Sequence, residues 1–124
     1  MMYDRSLPEN VLHATSLHSA MQSLSTDAST SEKLHHVFII GGAQLYNKAL
    51  QDHPEIATRI LLTRITKGDD QWKCDTFFPQ LEANQWRQCS IQEYREWLDG
   101  VEIPEEEVHE GEVAWKYEMW ERKR

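Results

Sequence analysis

Apolar residues recur with a helical period in two stretches of the chain and run on or alternate in others. Leu17, Ala20, Met21 and Leu24 lie on one face of a 3.6-residue turn, with Ser16 placed as the N-cap. Leu45, Tyr46, Ala49 and Leu50 predict a second helix from Ala43 to Gln51, stopped by His53-Pro54. Val37 to Ile40 and Arg59 to Thr66 are apolar runs that read as strands buried on both faces. Strand, helix and strand joined by connections this short predict a βαβ unit with parallel strands and a right-handed crossover. Asn10 to Ala14 reads as a short strand, and Gly68, Asp69 and Asp70 as a turn before an extended piece from Cys74 to Pro79. Trp86 to Tyr94 and Val113 to Arg122 alternate, and the charged loop between them holds Gly100, Pro104 and Gly111, so a long antiparallel hairpin is expected. The polar stretch SLSTDASTSEK, Ser23 to Lys33, predicts a flexible loop.

Composition keeps this picture within one domain. At 124 residues, 40% apolar with five tryptophans, the chain has the size for a single core. Residues 1–9 and 23–34 are expected to be flexible margins of that domain. The net charge of -8 excludes nucleic-acid binding through a broad basic surface. Its acidic run, from Glu93 to Glu112, and the basic end Arg122-Lys123-Arg124 read as solvated faces. Cys74 and Cys89 lack the spacing of a zinc site or a disulfide framework, which predicts a reducing compartment. No run is long enough to span a membrane, and MMYDRSLPEN is too polar for a secretory signal. The expected location is the cytoplasm, with the mitochondrion as the alternative.

Candidate chemistry centres on FIIGGAQLYNKAL, residues 38–50. Gly41 and Gly42 stand between a strand pattern and a helix pattern, where free N–H groups and the helix dipole favour an anion. A phosphate seat and a plain tight turn both fit that spacing, and the stretch is not the GxGxxG dinucleotide fingerprint. Two other clusters carry less. His35 and His36 are adjacent on a strand and point to opposite faces, which argues against one shared metal ion. Trp115, Tyr117 and Met119 alternate on one face, and with acidic neighbours they read as hairpin core rather than a platform for bases.

FIIGGAQLYNKAL, then ILLTRI, then DTFFP, then a terminal KYEMWER, in this order, resemble the C-terminal portion of dihydrofolate reductases, with wording nearest the fungal enzymes. The resemblance runs from about Val11 to about Glu121. It implies an α/β fold: an incomplete, mostly parallel sheet with flanking helices and a C-terminal antiparallel hairpin. It also implies NADPH-dependent reduction of 7,8-dihydrofolate to 5,6,7,8-tetrahydrofolate. By the same match the Gly41-Gly42 bond is cis, and that corner with Ala43, Gln44 and Leu45 holds the cofactor's pyrophosphate. Thr15 and Ser16 match positions near the adenine end, Thr15 standing where many relatives carry a basic residue. Ile40 matches the residue whose carbonyl meets the pterin amino group, Tyr46 the tyrosine between pterin and nicotinamide, and Thr63 the hydroxyl that reaches the pterin through water. Asp75 and Thr76 match a loop that steadies the family's mobile active-site loop. On pattern alone each of these positions has a structural alternative in core packing, a strand or a turn.

The family's catalytic carboxylate, its mobile loop and its Gly-Arg-rich phosphate segment belong to an N-terminal portion with no counterpart among these motifs. The chain is therefore expected to be truncated at its N-terminus, to be inactive alone, and to accept a complementing N-terminal segment as partner. A noncatalytic nucleotide-binding fragment and the related riboflavin-pathway reductase domain are the alternatives. In the family fold an absent strand separates Val37–Ile40 from Arg59–Thr66, so these two are expected to pair directly or to leave the chain marginally stable.

Overall fold

A computed structural model describes residues 11–26 and 36–124. Helix α1, Leu17–Thr26, starts where expected. Ser16 Oγ accepts the N–H of Ser19 at 3.0 Å, and Ser19 Oγ accepts the N–H of Ser16 at 3.2 Å, a reciprocal cap that satisfies donors at both ends of the first turn. The helix runs on through Thr26, so the first four residues of the expected loop are helical. The loop's remainder and the expected N-terminal margin lie outside the described residues. Helix α2, Ala43–Asp52, follows the predicted apolar spacing and ends at His53, whose N–H still bonds to the Ala49 carbonyl.

The sheet is built from β1, Arg59–Lys67, then β2, Trp86–Gln88, and after helix α3, Ile91–Trp97, from β3, Val108–Glu110, and β4, Val113–Arg122. Strand β4 is central: β1 lies along one edge, and β2 and β3 share the other. Every pairing among the described residues is antiparallel. Backbone direction alternates along β4, so Lys123 and Met119 bond to Gln85 and Cys89 on one side while Arg122 bonds to Thr58 on the other.

Four expectations change. Val37–Ile40 has no strand partner, so the βαβ unit and the parallel part of the expected sheet do not form among the described residues. A parallel strand is held only by a neighbour in the right direction, and β1 finds its neighbour in β4. Val37–Ile40 and β1 do not pair directly either. Residues 11–14 of the expected first strand are exposed and outside any sheet. The alternating stretch Trp86–Tyr94 keeps its strand for three residues and then turns into α3, because Ser90 and Glu93 make a capping box: Ser90 Oγ accepts the Glu93 N–H at 3.1 Å and Glu93 Oε1 accepts the Ser90 N–H at 2.9 Å. The hairpin partner of β4 is accordingly the short β3.

The core lies under the sheet's C-terminal half. Cys89, Tyr94, Ile103 and Met119 are buried together, flanked by Ile91, Trp97, Leu98 and Tyr117. Of the alternating residues of the last strand, Met119 is in this cluster and Tyr117 packs against it, while Trp115 is half-buried. By contrast, Val37, Phe38, Ile40 and Phe77 are exposed, Ile40 at 89% and Phe77 at 74%. No helix among the described residues is long and apolar enough to cross a membrane.

Candidate functional site

The corner at 41 and 42 is built by the start of α2. Gly41 has φ +109°, a value that side chains rarely tolerate, and the Gly41-Gly42 peptide bond is cis, the form that the resemblance implies. A Cβ placed on Gly41 would rest 3.5 Å from Tyr46 Oη, while one on Gly42 would meet nothing within 4 Å. Tyr46 therefore covers one side of the corner and the other side is open. Gly42 is the N-cap and offers no side-chain oxygen, so the first N–H groups of α2, on Ala43, Gln44 and Leu45, are uncapped by any side chain. Such donors, with the positive end of the helix dipole behind them, fit the pyrophosphate of a dinucleotide.

Ile40, Gly41, Gly42, Ala43, Gln44, Leu45 and Tyr46 thus share one corner. The others stand apart from it. Thr63 lies mid-way along β1, exposed, opposite Tyr117 of β4. Thr15 and Ser16 lie at the head of α1, where Ser16 is engaged with Ser19. Among the described residues, no hydrogen bond joins Thr15, Ser16 or Thr63 to the glycine corner. Asp75 and Thr76 are exposed in the irregular segment before Pro79.

That segment brings in a residue that pattern reading passed over. Phe78 meets the Tyr46 ring edge to face, with centroids 5.5 Å apart and planes at 70°. The Phe77-Phe78 pair ahead of a proline was the available signal, but sequence alone gives no direction for either ring. His36 lies with its ring stacked on Trp97 at 3.9 Å and Nε2 3.2 Å from the Trp97 carbonyl oxygen, so its described contacts are those of packing.

A second polar cluster lies at the start of α3. Cys89, Glu93 and Glu121 bring a thiol and two carboxylates within 4.8 Å of one another. The guanidinium of Arg87 already lies between the carboxylates, donating to Glu93 Oε2 and Glu121 Oε2 at 2.9 Å each. Arg87, with the Ser90 N–H, holds the Glu93 carboxyl down at about 2. Burial pushes the Cys89 thiol up. This is an ion-pair cluster that fastens α3 to the sheet. On the same sheet, burial pushes the Glu118 carboxyl up, but hydrogen bonds from Arg64 and Trp120 Nε1 outweigh it and bring it below its ordinary value. Two concave places lie away from the glycine corner: a cavity of about 380 Å³ between Thr58, Arg59 and the C-terminal residues, and one of about 520 Å³ by Arg95 and Ile103. Neither is lined by a residue that the resemblance assigns to cofactor or substrate.

Comparison with known proteins gives one consistent result. Residues 4–100 match the family model described as dihydrofolate reductase. The chain is similar to the dihydrofolate reductase of Pneumocystis carinii, 33% identical over 121 residues, covering 91% of this chain and 56% of that protein. It is similar to that of Cryptococcus neoformans, also 33% identical, covering 94% of this chain and 59% of the other. Among solved structures, Schistosoma mansoni dihydrofolate reductase superposes with a TM-score of 0.69 at 26% identity, covering 94% of this chain and 56% of that one. The chain therefore spans little more than half the length of these relatives.

Proposed function

The chain belongs to the dihydrofolate reductase family, and on that premise we propose that it supplies the cofactor corner of an enzyme that reduces 7,8-dihydrofolate to 5,6,7,8-tetrahydrofolate with NADPH. The observation that carries this reading is the corner itself, a glycine pair open on one side at the uncapped start of α2. The N–H groups of Ala43, Gln44 and Leu45 take the pyrophosphate, and Gly42 leaves room for its oxygens. Tyr46, steadied edge-on by Phe78, forms the wall between substrate and nicotinamide. The carbonyl of Ile40, at the end of the segment leading into the corner, accepts from the pterin amino group, and Thr63 reaches the pterin through water. Thr15 and Ser16 flank the adenine end. NADPH, when bound, supplies the hydride.

The proton for the pterin needs a carboxylate that no residue of this chain is assigned to provide. A complementing segment carries it, and the chain acts as one domain with that segment in the cytoplasm, where Cys74 and Cys89, both free thiols, remain reduced. Without the segment the chain binds nucleotide at most. The test is NADPH oxidation with dihydrofolate, for the chain alone and after addition of the polypeptide matching the unspanned portion of the Pneumocystis carinii enzyme. Turnover only after addition is expected. Equal turnover by the chain alone would refute the need for an outside carboxylate, because a general acid contributes roughly 10² to 10⁴ in rate.

A further inference from the structure

In a chain whose net charge is -8, Arg122, Lys123 and Arg124 set three cations side by side at the end of β4 and just past it. They line the cavity of about 380 Å³, together with Thr58 and Arg59 at the start of β1 and with Pro54 and Glu55, which follow α2. A volume of that size is in the range of pockets that hold small molecules. Residues 40–46 do not line it, so it is separate from the glycine corner.

The charged groups of the cavity divide into those that are compensated and those that are not. Glu121 takes Arg59 at 3.5 Å and, from outside the cavity, Arg87 at 2.9 Å. Glu55 lies 3.6 Å from His53 Nδ1. Arg122 donates from Nε to the Ala57 carbonyl and from Nη2 to the Leu50 carbonyl, and its guanidinium lies over Trp86. Those partners are neutral, so they fix the group in place and leave its charge unpaired. Among the described residues, the side chains of Lys123 and Arg124 make no ion pair, and the Thr58 hydroxyl makes no hydrogen bond. Cations gathered without counter-charges in a concave place raise the local concentration of anions.

The donor set chooses among anions. Arg122 Nη1, the Lys123 ammonium, the Arg124 guanidinium and the Thr58 hydroxyl are more donors than the two oxygens of one carboxylate suit. A phosphoryl group presents three strong acceptor oxygens and close to two charges, and guanidinium groups match its geometry in pairs of bonds. We propose that this cavity is a binding site for a diphosphate group, held by Thr58, Arg122, Lys123 and Arg124 and distinct from the cofactor corner. The reading of the corner can fail without touching it.

The test is titration calorimetry of the full chain with sodium pyrophosphate, in a phosphate-free buffer without NADPH. Binding is expected, and Lys123→Gln combined with Arg124→Gln should weaken it about tenfold or more, with the urea midpoint unchanged because both side chains are exposed. Thr58→Val, which keeps the backbone bond to Arg122, should weaken it about threefold. Lys116→Gln, an exposed lysine of β4 outside the cavity, and Gly42→Asp, at the glycine corner, should each leave it unchanged. No heat of binding would overturn the proposal, and so would equal affinity in the double variant or a loss of binding in Gly42→Asp. Malonate, a dicarboxylate, should bind at least about tenfold more weakly, and equal affinity would overturn the choice of phosphate. ADP separates the two sources of a diphosphate: affinity equal to that of pyrophosphate supports the free anion, and tighter binding that still depends on Lys123 and Arg124 supports a nucleotide.

Discussion

The sheet after residue 58 and the helices before it are held in different ways. Among the described residues, Ile60, Trp86, Cys89, Tyr94, Ile103, Ala114 and Met119 are buried within the former, whereas Leu17 and Ala49 are the buried apolar residues of the latter. The sheet carries cross-strand pairs as well, Arg64 with Glu118 and Arg59 with Glu121 at 2.8 and 3.5 Å. The glycine corner belongs to the region with fewer buried residues. Arg122 ties that region to the sheet, donating to the carbonyls of Leu50 and Ala57 at 3.3 and 3.1 Å while its guanidinium lies over Trp86. The lesson is that the part of the molecule fitted for a ligand leans on a part fitted for stability.

The contrast breaks most sharply at Met119, which is 1% exposed. Met119→Ala should cost about 3 kcal/mol in urea unfolding, and Leu17→Ala, in the sparser region, about 1 kcal/mol. Equal losses would erase the distinction between the two regions. Gly42→Asp places a negative charge where the anion is proposed to sit. It should weaken NADPH binding by about tenfold, or about 1.4 kcal/mol, in a fluorescence titration, with the urea midpoint unchanged. Ser90→Ala removes the cap of α3 and should cost about 1 kcal/mol, again by urea, without changing NADPH affinity. The smallest effect is acid sensitivity. Glu93 has its carboxyl lowered in the folded chain by Arg87, so its contribution is present above the ordinary carboxylate value near 4.5 and is lost as pH falls toward about 2. Arg87→Gln should flatten the fall in thermal midpoint over that window.

Much of the sheet half was legible because its signals are local. The nine apolar and polar positions of β1 and the alternation of β4 identify strands from their own side chains. Ser16 and the Leu45, Tyr46, Ala49, Leu50 face did the same for α1 and α2. Alternation misled at Cys89–Tyr94, although the Ser90 and Glu93 spacing that starts α3 was also in the sequence; the two reciprocal hydrogen bonds of that cap outweigh a weak two-residue period. Val37–Ile40 fails for another reason. Its residues suit a buried strand, but a strand's pairing and direction depend on neighbours that no local pattern encodes. The meeting of Phe78 with Tyr46, more than thirty positions apart, is likewise a tertiary matter. For the site, the two glycines were visible and the open side of Gly42 was not.

Strand β4 spends its backbone in both directions, on β1 at one flank and on β2 and β3 at the other. The middle of the sheet is thereby closed to insertion, and any enlargement must be lateral. An added strand on the β1 flank would inherit its alignment from residues 59 to 65, so a one-residue slip would swap which of its side chains meet Ile60 and Leu62 and which meet Leu61 and Ile65. Assembly from that flank is thus a problem of registration more than of attraction.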